Sequence, residues 1–429
     1  MAVRRLLGWP DPRQLAISFS IAILLGIYAW IALLPAFAPQ SPRADDFQDY
    51  FFAARQLAHG GDPYSDFTRT HVPWDWSLNS GYIYPPAFAA TLIPFTWLPG
   101  DLAVRAWLVL MQLAVLASLL IIYRRIGRPS RGELLCLLAV LTTFFPLISS
   151  ALTGTMNAVL LLLLTGAWAA WLSRRDAASG VMAGVAAVFK LFPATLLPYL
   201  AWRRHWKLGA AMVMTGIAGI VAGIVVAGVD HNLYYYRDIL PHLAGGSGYR
   251  ENQSIAGITT RLCNPASADA GGGAGWCGRL LDWPLVLLLL AVVLGAVTRQ
   301  ARPSLEFAMA VAVLPLVSSI TWSFHLVVLV LPITLLIRHV FSGAVSRAGG
   351  RVLIAAWICF SVLPAIHYLL IFHPLPHWPG LLDIVPLMLT HLASDAYFIG
   401  TLLIVGSLLV AVRRDHQVET ATATPAIAA

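Results

Sequence analysis

Ten apolar stretches, near residues 15–37, 102–123, 133–151, 155–172, 207–228, 281–298, 304–320, 323–338, 351–371 and 393–412, set the terms on which this chain can fold. A helix needs roughly 20 mostly apolar residues to cross a bilayer. Lipid offers backbone N–H and C=O groups no partner, so each segment must satisfy its own. Helices do so locally, and nothing in the chain alternates as a barrel strand does. The composition agrees: 59% of residues are hydrophobic and 11% charged, against about 25% charged in soluble domains. The fold class read from this pattern is all-α, a polytopic transmembrane helical bundle with about 10–13 membrane-embedded helices.

The formal net charge of +8 does not point to nucleic acid, because 19 of the 28 Lys and Arg residues lie in short clusters between apolar spans. The clusters are Arg4, Arg5, Arg13; Arg124, Arg125, Arg128, Arg131; Arg174, Arg175; Arg203, Arg204, Lys207; Arg299, Arg302; Arg338, Arg347, Arg351; and Arg413, Arg414. Such clusters mark cytoplasmic connections. They predict a multi-pass plasma-membrane (cell inner membrane) protein with both termini cytoplasmic and two long loops, about 38–100 and 229–280, on the outer face. The span at 15–37 is too long for a signal-peptide core and is read as a retained helix. Residues 1–414 form one membrane domain, and 415–429, rich in Thr and Ala, a disordered cytoplasmic tail.

Residues 178–202 would break the alternation if they crossed once. Two short helices hinged at Phe189-Lys190-Leu191-Phe192-Pro193 preserve it, since proline disfavours helix in the residue before it and removes a ladder bond. The tip of that hairpin, with Lys190, is expected near the outer side. Of the four cysteines, Cys136 and Cys359 sit in spans as packing residues. Cys263 and Cys277 flank a Gly-rich tract in the second outer loop, either as a disulfide or as two free thiols.

Polar groups that could do chemistry gather on the outer side. Asp45-Asp46-Phe47-Gln48-Asp49-Tyr50 follows the first span, and Asp46 and Tyr50 share a helix face at i, i+4. Asp46 can be a general base or simply an acidic residue capping a surface helix over about 46–59. Gly61-Asp62-Pro63-Tyr64 reads as a turn. Tyr82-Ile83-Tyr84-Pro85-Pro86 reads as a rigid extended segment leading into the bilayer, its tyrosines either interfacial or stacked on a sugar. Lys190, the only lysine in an apolar stretch, either snorkels to the surface or meets an anionic head group. Asn252-Gln253-Ser254, with Arg250 and Arg261, is a polar, cationic stretch suited to phosphate or merely solvated. His325, at the meeting of two spans, can orient a carboxylate or bind phosphate. There is no P-loop, no zinc-type His/Glu spacing and no metal cluster. No internal repeat or mid-bilayer charge suggests a secondary transporter.

In order, Asp46 with Tyr50, Gly61 to Tyr64, Tyr84 to Pro86, Gly154 with Asn157, Lys190 with Pro193, Asn252 to Ser254, and Thr321-Trp322 with His325 resemble glycosyltransferase family 87, formerly a domain of unknown function. Its members include polyprenol-phosphate-mannose-dependent mannosyltransferases. The resemblance implies the GT-C fold, an outer-face active site and a polyprenyl-phosphate-linked sugar donor. It implies Asp46 and His325 as catalytic residues, and the phosphodiester of such a donor demands cations, for which Lys190, Arg250 and Arg261 are the candidates. Tyr50, Tyr64, Tyr84, Asn157, Asn252, Gln253 and Trp322 are then the substrate-binding set. Two positions depart from the family pattern: Thr155 stands where glutamine is common, and Phe324-His325 where two histidines often stand. The expected activity is transfer of a hexose, mannose by resemblance, to a lipid or glycan hydroxyl, with an Asp base, inversion, no cofactor and no metal. Membrane lipids are the other expected partners. The competing class is a non-enzymatic lipid or glycan transporter (flippase).

Overall fold

The computed structural model of the chain describes residues 12–37, 44–65, 81–296, 303–372 and 394–423. Residues 38–43 and 66–80 of the first predicted loop, Arg4, Arg5, Arg299, Arg302 and the tail beyond Ala423 lie outside them. Among the described residues the secondary structure is helical throughout, joined by turns, with no strand. Seven helices among the described residues are long and apolar enough to cross a membrane: Leu15–Leu33, Gly100–Ile126, Trp206–Ala244, Trp276–Ala296, Ser323–Phe341, Arg347–Ile366 and Ala396–Arg413. An eighth span is bent by 49° between Arg131–Thr143 and Phe145–Thr153, where Pro146 starts the second piece. Shorter apolar helices Asn157–Leu172, Asp176–Phe189 and Pro303–Val317 also belong to the bundle. Each of the ten predicted stretches coincides with one of these.

The helices that position the site are α1 (Asp45–Ala58), α2 (Gly100–Ile126), α3 (Arg131–Thr143), α4 (Phe145–Thr153), α5 (Asn157–Leu172), α6 (Asp176–Phe189), α7 (Trp206–Tyr234), α8 (Pro303–Val317), α9 (Val330–Phe341), α10 (Arg347–Phe372) and α11 (Ala396–Ala423). Long helices such as α7 and the Trp276–Ala296 segment leave most apolar side chains outward, as a lipid-facing surface requires, whereas α5, α8 and α9 are buried nearly all round. The core is thus a central trio wrapped by lipid-facing helices.

The hairpin expected at 178–202 is present. The α6 ladder stops at Phe189, Lys190 is extended (φ −149°, ψ 123°), and a 3-10 turn over Phe192–Thr195 leads to a short helix, Leu196–Trp202. Pro193 cannot donate to the preceding turn, so the break falls where the sequence puts it. Helix α6 lies tight against α7 through glycines four apart. A Cβ on Gly180 would run into the Leu208 carbonyl, and one on Gly184 would come within 2.6 Å of Thr215 Cβ. Small residues let backbones approach where packing, not a hydrophobic drive, holds helices together in lipid.

Two predicted boundaries move. The second outer loop, expected over 229–280, is largely helical: the chain of α7 runs on through a π-turn at Tyr235–Ile239 to Ala244, and Ile255–Cys263 and Trp276 onward are helices too. Gly228 (φ 82°, ψ 168°) lets the axis break and restart, and Tyr235 and Ile239 then turn into the core. The chain past 414, expected to be disordered, continues α11 to Ala423. Extending an existing helix through Ala-, Glu- and Gln-containing sequence costs far less than nucleating a new one. The two loop cysteines, Cys263 and Cys277, form a disulfide with Cα atoms 5.9 Å apart, tying the Ile255–Cys263 helix to the start of the next.

Buried ion pairs brace the bundle at residues from the basic clusters. Arg203 binds Glu306 of α8 in a fork, Nε to Oε1 and Nη2 to Oε2 (3.1 Å). Arg338 Nη1 donates to Glu133 Oε2 (2.7 Å) while its other nitrogen caps the Ile126 carbonyl at the end of α2. Glu306 and Glu133 are each 1% exposed, and removing one partner of such a pair costs about 3–5 kcal/mol. Arg203→Ala is therefore expected to lower the thermal midpoint of the purified protein sharply, while Arg203→Leu with Glu306→Leu recovers most of the loss. Equal midpoints for the single and double variants would count against the pair as a brace. Gly154 gives a second test. Its backbone is left-handed (φ 70°), and a Cβ there would come within 2.8 Å of Ala44 Cβ and 3.2 Å of Phe47 Cβ. Gly154→Ala is expected to destabilise by about 1–2 kcal/mol from the backbone alone, read as a drop in the same midpoint.

Candidate active site

Helix α1 carries the acidic cluster. Ala44, in the left-handed region (φ 41°), precedes it, and Asp45 and Asp46 occupy its first turn without capping it by their side chains. Both carboxylates still face the positive end of the helix. The N-cap hydrogen bond is thus absent, while the placement of acidic residues at the helix start is as that alternative expected. Phe47, Tyr50, Ala53, Ala54 and Leu57 form the buried face at helical spacing. Phe47 stacks on Trp107 of α2 (centroids 5.1 Å apart), and Trp107 Nε1 donates to the Gly154 carbonyl (2.7 Å). The glycine of the Gly-x-x-Asn motif is therefore the floor on which the start of α1 rests. This fixes Asp46 from below.

Tyr50 of the same helix and three further segments meet near Asp46. The Tyr50 hydroxyl lies 3.4 Å from Asp46 Oδ2 and 3.3 Å from the Tyr84 hydroxyl. Lys190 Nζ sits 5.4 Å from the centroid of the Tyr84 ring and 5.8 Å from that of Phe324, within cation–π range. Its nitrogen is 2.5 Å from His325 Nε2. The extended backbone at Lys190 is what turns this side chain away from the α6 axis into the site.

Burial pushes the Asp46 carboxyl up to about 6, opposed by the Lys190 charge and the Tyr50 hydroxyl and reinforced by Asp45. Burial, then Asp46 and Asp45, push Asp49 up to about 7. A carboxylate in this range is a usable base near neutral pH.

The Lys190–His325 contact ties two protonation states together. A neutral imidazole has one N–H. If the Trp322 N–H donates to Nδ1 (3.2 Å), then Nε2 bears the proton and gives it to an uncharged Lys190 amine. If Lys190 is an ammonium and donates to Nε2, the proton sits on Nδ1 and the Trp322 contact is not a hydrogen bond. An anion in the site favours the second arrangement.

A cavity of 230 Å³ opens beside Lys190 and His325, lined also by Tyr84, Phe192, Ser318, Ser319 and Trp322. The structure thus gathers Asp46, Tyr50, Tyr84, Lys190, Trp322 and His325. His325, expected beside the carboxylate or a phosphate, meets Lys190.

Asp46 and Tyr50 connect to this cavity through Lys190 and Tyr84 and do not line it, nor do the other sequence candidates. Tyr64 is buried, its hydroxyl donating to the Tyr84 carbonyl (2.7 Å), so it sets the Tyr84 backbone. Asn157 is buried beside Thr155, to which it donates (2.7 Å). Asn252 holds the segment before His325: Nδ2 donates to the Ser319 carbonyl (3.0 Å) and Oδ1 accepts from Thr321 N–H (2.9 Å). Gln253 N–H donates to the Thr321 carbonyl (2.7 Å), and its side chain bonds Ser394 and Phe398 at the start of α11. Arg261 is consumed by Asp395 (2.8 Å) and the carbonyls of Tyr249 and Asn252 (3.0 Å each), so its charge is already neutralised. Arg250 is half-buried in the same loop, its N–H donating to the Ala268 carbonyl. Sequence reasoning missed Trp107, which lies in an aliphatic run, and noted Phe324 only as standing where the family often has histidine.

The profile of glycosyltransferase family 87 matches residues 82–332. Curated relatives include the polyprenol-phosphate-mannose-dependent alpha-(1-2)-phosphatidylinositol pentamannoside mannosyltransferase of Mycobacterium tuberculosis (strain CDC 1551 / Oshkosh), 28% identical over 84% of this chain and 80% of the relative. The protein of the same name from Mycolicibacterium smegmatis is 26% identical over 82% of each chain. The profile match spans more than half of the sequence and contains Tyr84, Lys190, Trp322 and His325, and on that footing the chain belongs to glycosyltransferase family 87.

Proposed function

We propose that this membrane glycosyltransferase moves a hexose, mannose in the first instance, from a polyprenyl phosphate to a hydroxyl of a lipid or glycan on the non-cytoplasmic face. The single observation that carries the reading is that Lys190 and His325, from distant parts of the chain, meet in the wall of one cavity while the Asp46 carboxylate lies close enough to Lys190 to feel its charge. The names of the two relatives support the donor and a lipid-linked acceptor. The basic clusters at the other ends of the spans support an outer-face site.

Each group has a task in that reaction. Asp46 takes the proton of the acceptor hydroxyl as its oxygen attacks the anomeric carbon. The bond from that carbon to the phosphate oxygen breaks, and the electron pair leaves with the polyprenyl phosphate. Lys190, oriented by His325 and the Tyr84 and Phe324 rings, stabilises the negative charge that grows on the leaving oxygen. The phosphate departs ionised, so no strong acid is called for. One displacement inverts the anomeric centre; a product that retains the donor's configuration would overturn the single-step scheme.

Membranes or purified protein incubated with radiolabelled polyprenyl-phosphate mannose should yield a labelled lipid or glycan. Asp46→Asn should keep donor binding and lower turnover about 10²–10⁴-fold. A transporter that only binds would keep its flux in that variant, and such a result would reject the transferase reading. Because Asp46 must be ionised to act and burial raises it to about 6, kcat/KM should fall as pH drops through about 6. The Tyr50 hydroxyl holds that carboxyl down, so Tyr50→Phe should shift the acid limb to higher pH. A limb that stays in place would remove Tyr50 from the role.

A further inference from the structure

At the end of α9 remote from His325 lies a second cavity that the transfer reaction does not use. It measures 440 Å³, within the range of about 300–1,000 Å³ of ligand pockets, and runs between α3, α9, α10 and α11. Its walls are almost wholly apolar: Val140, Ile333, Ile337, Leu353, Ile354 and Ile404 are typical. Its deep end is closed by Phe144 edge-on to Phe360 (centroids 5.2 Å apart) and by Trp357, whose Nε1 donates to Thr143 Oγ1 (2.8 Å). Its mouth carries Arg347 and Arg351, one turn apart on α10. Both arginines are exposed, and neither is paired with a carboxylate among the described residues, in contrast to Arg338 nearby, which is spent on Glu133.

A slot that is greasy within and cationic at the lip matches one kind of molecule. We propose that it is a site for an anionic glycerophospholipid of the surrounding bilayer, one acyl chain in the slot and the phosphate across Arg347 and Arg351. Basic pockets between membrane helices take such head groups for electrostatic reasons. The span Ser323–Phe341 has 19 residues, about 30 Å of helix, with the sugar-transfer cavity at its start and this mouth at its end. The two sites therefore open toward opposite faces of the membrane, and this one does not depend on the proposed donor chemistry. The lipid would fill the gap along α10, whose outward residues Ile354, Ile358 and Val362 already face the bilayer.

The test is native mass spectrometry of the purified full chain, delipidated and then incubated with equimolar phosphatidylglycerol and phosphatidylcholine of matched chains. One tightly held phosphatidylglycerol is expected on the wild type. Arg347→Gln with Arg351→Gln should lower its retention about 30-fold, from about fivefold per arginine, and leave phosphatidylcholine adducts unchanged. Val140→Trp, which plugs the slot and keeps the arginines, should also release it. Equal retention by the wild type and the double arginine variant would overturn the proposal, as would equal occupancy by the two lipids. Displacement of phosphatidylglycerol by an equimolar polyprenyl phosphate would also overturn it, by making the slot a carrier-lipid site.

Discussion

A lysine in an otherwise apolar stretch is tolerated only where the fold supplies it with partners, and Lys190 organises this molecule around that requirement. Its amine meets the His325 ring, lies near the aromatic faces of Tyr84 and Phe324, and feels the Asp46 carboxylate. The partners come from three separate segments, α1, the Tyr84 stretch and the Phe324-His325 turn, so satisfying one charge draws the first outer loop, the α6 break and the start of the Ser323–Phe341 span to one place. The extended conformation at Lys190 makes this possible. A continuous helix through 189–193 would satisfy its own backbone but send the side chain along the helix surface. The proline that interrupts the ladder thereby creates the site.

The residues around this point divide into those that face the cavity and those that hold them. Asn252 and Gln253 spend their amides on the backbone of Ser319, Thr321 and the start of α11, fixing the segment from which Trp322 and His325 project. Arg261 anchors the same loop to Asp395, and the Cys263–Cys277 bridge secures the helix that carries it. Gly154 and Trp107 do for Asp46 what Asn252 does for His325. This separation explains why polar residues that look suited to phosphate in a linear sequence are buried, paired and withdrawn from the cavity. Buried polar groups must be hydrogen-bonded, and backbone carbonyls in an irregular outer segment are the nearest acceptors. The basic residues at the other end serve the bundle itself: Arg203 and Arg338 neutralise Glu306 and Glu133 inside it.

Taken alone, the sequence determined the helical class, the ten apolar elements, the break at Lys190 and the short list of groups able to do chemistry. These follow from local rules: backbone satisfaction in lipid, the period of an amphipathic helix such as α1, and the constraint of Pro193. It could not decide which polar residues meet. Asp46, Lys190 and His325 are separated by well over a hundred residues from one another, and whether Arg261 or Lys190 reaches an anion depends on what else lies within a few ångströms. Nor could it show that 229–244 stays helical, because that helix is held by Tyr235 and Ile239 packing into the core. Tertiary structure settled the pairings, since electrostatic and hydrogen-bond energies depend on distance in space and burial, and spacing along the chain measures neither.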